Sequence, residues 1–100
     1  MIVHVLQKHI DVGRKNQKAW IDGGININGI SEICPIALAL KEFFCVSYAQ
    51  ATAWKLQIGL FPDNLIFNVP TPLEVAEFIH RFDRLENVEP FQFEIDKIDL

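Results

Sequence analysis

The chain is short of cysteine, has no surplus of positive charge and contains no long apolar run. Each shortage closes off a class of function. Two cysteines in 100 residues are too few for the disulfide framework on which small secreted domains rely, so the expected compartment is a reducing cytoplasm. There is no internal repeat and no low-complexity stretch. Nine Lys and Arg against 13 Asp and Glu give a formal net charge of -4, the wrong sign for gripping phosphates over a whole surface. Nucleic acid is left only a local basic patch. No apolar run approaches the roughly 18 residues of a membrane span, and the opening MIVHVLQKHID has neither the basic lead nor the small-residue cleavage site of a signal peptide. No membrane partner is expected.

Motifs for catalysis, cofactors and metals are missing as well. His4, His9, His80, Cys34 and Cys45 show no C-x-x-C or H-x-x-x-H spacing, so no metal site is predicted. GGINING, from Gly23 to Gly29, lacks both the Lys-Ser/Thr end of a P-loop and the spacing of a dinucleotide fingerprint; its glycines read as turn residues, and no cofactor is expected.

What is present is core material. Half of the residues are hydrophobic, and eight phenylalanines and two tryptophans are among them, which predicts a folded chain with one core, a single domain over residues 1–100. Ile2 to Leu6 reads as a strand with His4 on the side opposite Val3 and Val5. A turn is expected near Gly13, and AWIDGGINI carries two β-favouring triplets around Asp22, Gly23 and Gly24, the mark of a small inserted hairpin. Pro35 suits the first turn of a helix whose run Ile36 to Leu40 has no polar break, so this helix is buried and Cys34 stands at its N-cap. Val46 and Tyr48, then Trp54, Leu56 and Ile58, alternate as half-buried strands with a bend at Gln50 to Thr52, and Leu65 to Val69 returns in a hairpin. Thr71, Pro72 and Glu74 spell a helix start, with Thr71 as the cap; Val75, Phe78, Ile79 and Phe82 form its apolar stripe. Phe91, Phe93 and Ile95 alternate with polar residues in a last strand. The order predicts an α+β fold, a mainly antiparallel sheet with two helices on one face in a split β-α-β or ferredoxin-like order, plus the inserted hairpin.

Two places offer chemistry. Cys34 sits where helix N–H groups and the helix dipole stabilise a thiolate, yet no spacing assigns a histidine to it as a base, and a buried structural cysteine is the plainer reading. An internal bridge to Cys45 is excluded, because an intervening helix of that length separates the two far beyond the ~7 Å limit. Arg14, Lys15, Lys18 and Trp20 form a basic and aromatic cluster able to grip an acidic protein surface or stack a base; the alternative is a solvated loop with Trp20 covering the core.

Four stretches, His9-Ile10 with Gly13, Cys34-Pro35-Ile36-Ala37-Leu38-Ala39, Phe78-Ile79 with Phe82-Asp83, and Val88 with Pro90-Phe91 and Phe93, resemble a family of short uncharacterised proteins of bacterial and phage genomes. The resemblance implies a mobile-element setting and carries over no known activity and no site residue. Because apolar surfaces and strand edges stand out rather than convergent polar chemistry, the sequence predicts a small non-enzymatic binding or adaptor protein, acting on a protein partner or on a second copy of itself. The alternatives are a nucleic-acid or small-ligand module using Arg14 to Trp20, and an enzyme using Cys34.

Overall fold

The computed structural model describes residues 1–23, 34–60 and 65–95. In chain order its elements are β1 (Ile2–Val5), α1 (Gln7–Gly23), α2 (Pro35–Phe44), β2 (Tyr48–Ala51), β3 (Lys55–Leu60), β4 (Leu65–Pro70), α3 (Leu73–Asp83) and β5 (Phe91–Glu94). The α+β class is as the sequence predicts. The strands, however, divide into two antiparallel sheets, a ribbon of β1 with β5 and a meander in the order β2-β3-β4.

α2 is the middle of the molecule. Pro35, Ile36, Ala37, Ala39 and Leu40 are all buried, and the helix contacts both β1 and β2. A helix apolar nearly all round must be covered on several sides; here a sheet lies on each of two sides and α1 on another. The core collects Val3 and Val5 from β1, Leu56 and Ile58 from β3, Val75, Phe78, Ile79 and Phe82 from α3, and Phe93 and Ile95 from the last strand region. Phe78 stacks on Phe91 with ring centroids 4.9 Å apart, so the apolar stripe of α3 seals the core as its spacing foretold.

Helices α2 and α3 end alike. The Val46 N–H reaches the Lys41 carbonyl and the Cys45 N–H the Glu42 carbonyl; after α3, Glu86 bonds to Arg81 and Leu85 to Phe82 in the same way. This is the Schellman pattern, which satisfies the last carbonyls by turning one residue left-handed. Glycine usually takes that position; here Cys45 (φ 54°) and Leu85 (φ 63°) do.

Four expectations are corrected. Residues Gly13 to Gly23 are helix, not a turn and the first arm of a hairpin; the second arm, Ile25 to Ile27, and the glycines Gly24 and Gly29 lie outside the described residues. Val46 precedes β2, and the bend expected over Gln50 to Thr52 is partly strand, with Ala49 and Ala51 as the buried side chains. Trp54 lies before β3, not within it. Thr71 does not cap α3, whose cap position is Pro72, because its hydroxyl donates instead to the Thr52 carbonyl at 2.8 Å.

Candidate interaction site

The residues Arg14, Lys15, Lys18 and Trp20 are all on α1, and a helix separates what a loop could have gathered. At 100° per residue, Trp20 lies roughly 140° round from Lys15 and 160° from Lys18. The two lysines share their exposed face with Asp11 and Asp22, each at i±4 from one of them, so the face is of mixed sign. Arg14 is half-buried and engaged elsewhere. Its guanidinium lies over the Phe82 ring, 4.3 Å from the centroid, and donates to the Phe82 carbonyl at 2.9 Å and to the Glu86 carbonyl.

Arg14 therefore belongs to a fastening. Gln17, 4 % exposed, also donates to the Phe82 carbonyl, at 2.8 Å, and accepts from Arg14 at 2.8 Å. Both side chains satisfy carbonyls at the negative end of α3, where cationic and N–H donors are favoured. The approach depends on Gly13, whose missing Cβ would stand 2.7 Å from Pro35 Cδ and 3.2 Å from Phe82 Cζ. His9, Ile10, Gly13 and Gln17 are the buried residues of α1; they recur at helical spacing, but only Ile10 among them is a large apolar residue, so no apolar period marked this helix or Gln17.

Beside this junction is a cavity of about 250 Å³ lined by Cys34, Ala51, Thr52, Ala53, Trp54, Ile79, His80 and Asp83. Cys34 stands at the N-cap of α2 as expected, and the cavity also holds a histidine and a carboxylate. Burial nevertheless pushes the Cys34 thiol up to about 11, against the opposing pull of the Ala37 and Ile36 N–H groups. At neutral pH the sulfur is a protonated thiol, not a nucleophilic thiolate. Burial likewise raises Asp83 above the usual carboxylate range, with His80 opposing. Cys45 is exposed, and neither cysteine is in a disulfide.

One wall of that cavity is Trp54, 83 % exposed. It sits on the turn between β2 and β3, and the turn is tied at several points. The Thr52 hydroxyl accepts from the Lys55 N–H at 3.1 Å and from the Trp54 N–H at 3.3 Å. The Thr71 N–H in turn donates to the Trp54 carbonyl at 3.3 Å. Leu73, the first residue of α3, is 73 % exposed. The most exposed large apolar side chain of the described residues, Trp54, thus stands on braced backbone. Reading Trp54 as an inward strand residue concealed this; the signal was Thr52, a turn-forming hydroxyl two residues earlier.

At the opposite end of α2, His9 bridges two elements. Its Nδ1 accepts the Leu6 N–H at 2.9 Å, which leaves Nε2–H to donate to Glu42 at 2.7 Å. The ammonium of Lys8 also reaches Glu42, at 2.8 Å, and these two partners, Lys8 first, hold its carboxyl below the usual range. Among the described residues no group of three or more His, Cys, Asp or Glu could hold a metal ion, and no helix is long and apolar enough to cross a membrane. Comparison with known proteins finds no matching family model, curated protein or solved structure.

Proposed function

We propose that the protein is a small non-enzymatic binding or adaptor protein that docks a protein partner on the Trp54 end of its three-stranded meander. The observation that carries this reading is Trp54 itself, 83 % exposed on a turn held by Thr52 and Thr71. Tryptophan dominates hot spots because one rigid side chain removes a large apolar area from water. The largely apolar cavity beside Trp54 extends the contact. The protonated, buried thiol of Cys34 speaks against the cysteine-enzyme alternative, and the mixed-sign face of α1 speaks against a nucleic-acid grip through Lys15 and Lys18. Exposed Cys45 suits a reducing cytoplasm.

The test is Trp54→Ala. Removing so exposed a side chain changes stability by no more than about 0.5 kcal/mol, so melting stays near wild type. Proteins cross-linked to the wild-type chain in its host cells are expected to be lost with the variant. An identical cross-linked set from both chains would sink the reading.

A further inference from the structure

We propose that β4 is the seam of a homodimer, in which two copies pair this strand antiparallel about a twofold axis at Phe67 and join two three-stranded sheets into one. Among the described residues β4 is an edge strand, since the sheet order is β2-β3-β4. The Thr71 N–H points inward to the Trp54 carbonyl, and backbone groups alternate in direction along a strand. Val69 and Phe67 therefore bond to β3, opposite Leu56 and Ile58, while the N–H and C=O groups of Ile66 and Asn68 point away from the sheet. Pro70 falls in the same outward set and has no N–H to offer, which is where proline is tolerated at an edge.

The outward groups are self-complementary. Ile66 and Asn68 flank Phe67 symmetrically, so in an antiparallel self-pairing Ile66 faces the partner's Asn68, and each of the two such pairs exchanges both backbone bonds. Phe67 then faces the partner's Phe67 as a close non-bonded pair, an arrangement in which aromatic side chains attract. Phe67 and Val69 are only half-buried, although they lie on the core side with buried Leu56 and Ile58. A second copy would extend that apolar layer. Pro70 ends the pairing on each side.

Nothing in the strand resists this. Edges are normally guarded by charge, above all by lysine, and Leu65–Pro70 reads LIFNVP with no charged residue. Of the other outer edges among the described residues, β5 carries Glu94, and β2, the opposite edge of the meander, is uncharged but only four residues long, Tyr48–Ala51. The long-range repulsion of two copies at -4 each is screened within about 10 Å at 0.1 M salt. Added salt therefore strengthens this dimer slightly, the reverse of an ion-paired interface. A single strand pair falls below the roughly 1,200 Å² of standard interfaces, so dissociation constants on the order of micromolar are expected.

Sedimentation velocity across about 1–500 µM should show a monomer–dimer equilibrium. Over the same range, residue-resolved amide exchange should slow at Ile66 and Asn68, while Phe67, already bonded to β3, changes little. Asn68→Pro removes the outward N–H together with the Asn68 Oδ1 that accepts from Gln57 at 3.0 Å, and Ile66→Lys guards the edge with a charge should the proline variant fail to fold; each is expected to weaken the dimer at least tenfold. Trp54→Ala should leave the dimer intact, so loss of the Trp54 reading would not touch this one. A monomer throughout, or a dimer indifferent to both edge variants, overturns the proposal.

Discussion

Gly13→Ala pits two effects of opposite sign against each other. In a helix interior alanine is favoured over glycine by about 0.5–1 kcal/mol, so propensity alone predicts a more stable protein. The site predicts the reverse. A Cβ on residue 13 would lie 2.7 and 2.8 Å from Pro35 Cδ and Cγ and 3.2 Å from Phe82 Cζ, where carbon atoms rest at about 3.5–4.0 Å. The Pro35 ring is fixed to its own backbone and cannot swing aside, so α1 must move off by the better part of an ångström. Overpacking of this kind costs about 1–3 kcal/mol. The shift also lengthens the bonds from Gln17 and Arg14 to the Phe82 carbonyl, now 2.8 and 2.9 Å. The balance is a loss of about 1–2 kcal/mol, and at about 4–8 °C per kcal/mol for a domain of this size thermal melting should fall by roughly 4–16 °C. Pro35→Ala in the same chain should recover part of that loss, because the truncated ring makes room. The coupling in such a double-mutant cycle measures the contact directly. An unchanged or higher melting temperature for Gly13→Ala would refute the close-packing argument.

Two further outcomes follow from other parts of the chain. The Cys34 thiol ordinarily ionises near 9.0 and is raised to about 11 by burial; a raised thiol holds its proton more tightly in the folded state, so its contribution is complete below pH 9 and drains away as the pH climbs to 11. Its full size is on the order of 3 kcal/mol. Urea midpoints at pH 8 and pH 11 should therefore differ more for the wild type than for Cys34→Ala, and equal differences would remove the buried thiol from the account. Cys45→Gly frees a left-handed residue (φ 54°) from its Cβ strain and should stabilise by about 0.5–1 kcal/mol, raising the melting temperature by a few degrees. A drop would mean that the Cys45 side chain contributes more than its strain.

Elements with an apolar period were legible in the sequence. The run after Pro35, the stripe Val75, Phe78, Ile79 and Phe82, and the alternation of Phe91, Phe93 and Ile95 announce α2, α3 and the last strand. α1 was not legible, for a physical reason. Its buried face is a histidine, one isoleucine, a glycine and a glutamine, held by close backbone approach and by side-chain hydrogen bonds, and neither leaves an apolar period to read. The division into two sheets depends on pairing between residues far apart in the chain. The candidate site was half legible: Cys34 was placed correctly at its helix start, whereas Arg14 proved to be a fastener. Trp54 was hidden because alternation with Leu56 and Ile58 runs on into the turn without a break. Gly13, Pro35 and Phe82 meet at one junction, and Phe78 and Phe91 stack, so these residues hold helices and strands to one another.

The pairing of β1 with β5 sets a timetable for biosynthesis. The amino terminus donates to the Ile95 carbonyl across 94 positions of sequence, and Ile2 to Val5 find their partners only in Phe91 to Glu94. With translation running at about 5–20 residues per second, the first strand waits roughly 5–20 s before the last one is made. Through that interval Val3 and Val5, fully buried at the end, lack their β5 partners, and the ribbon cannot close until Phe91 to Glu94 are made.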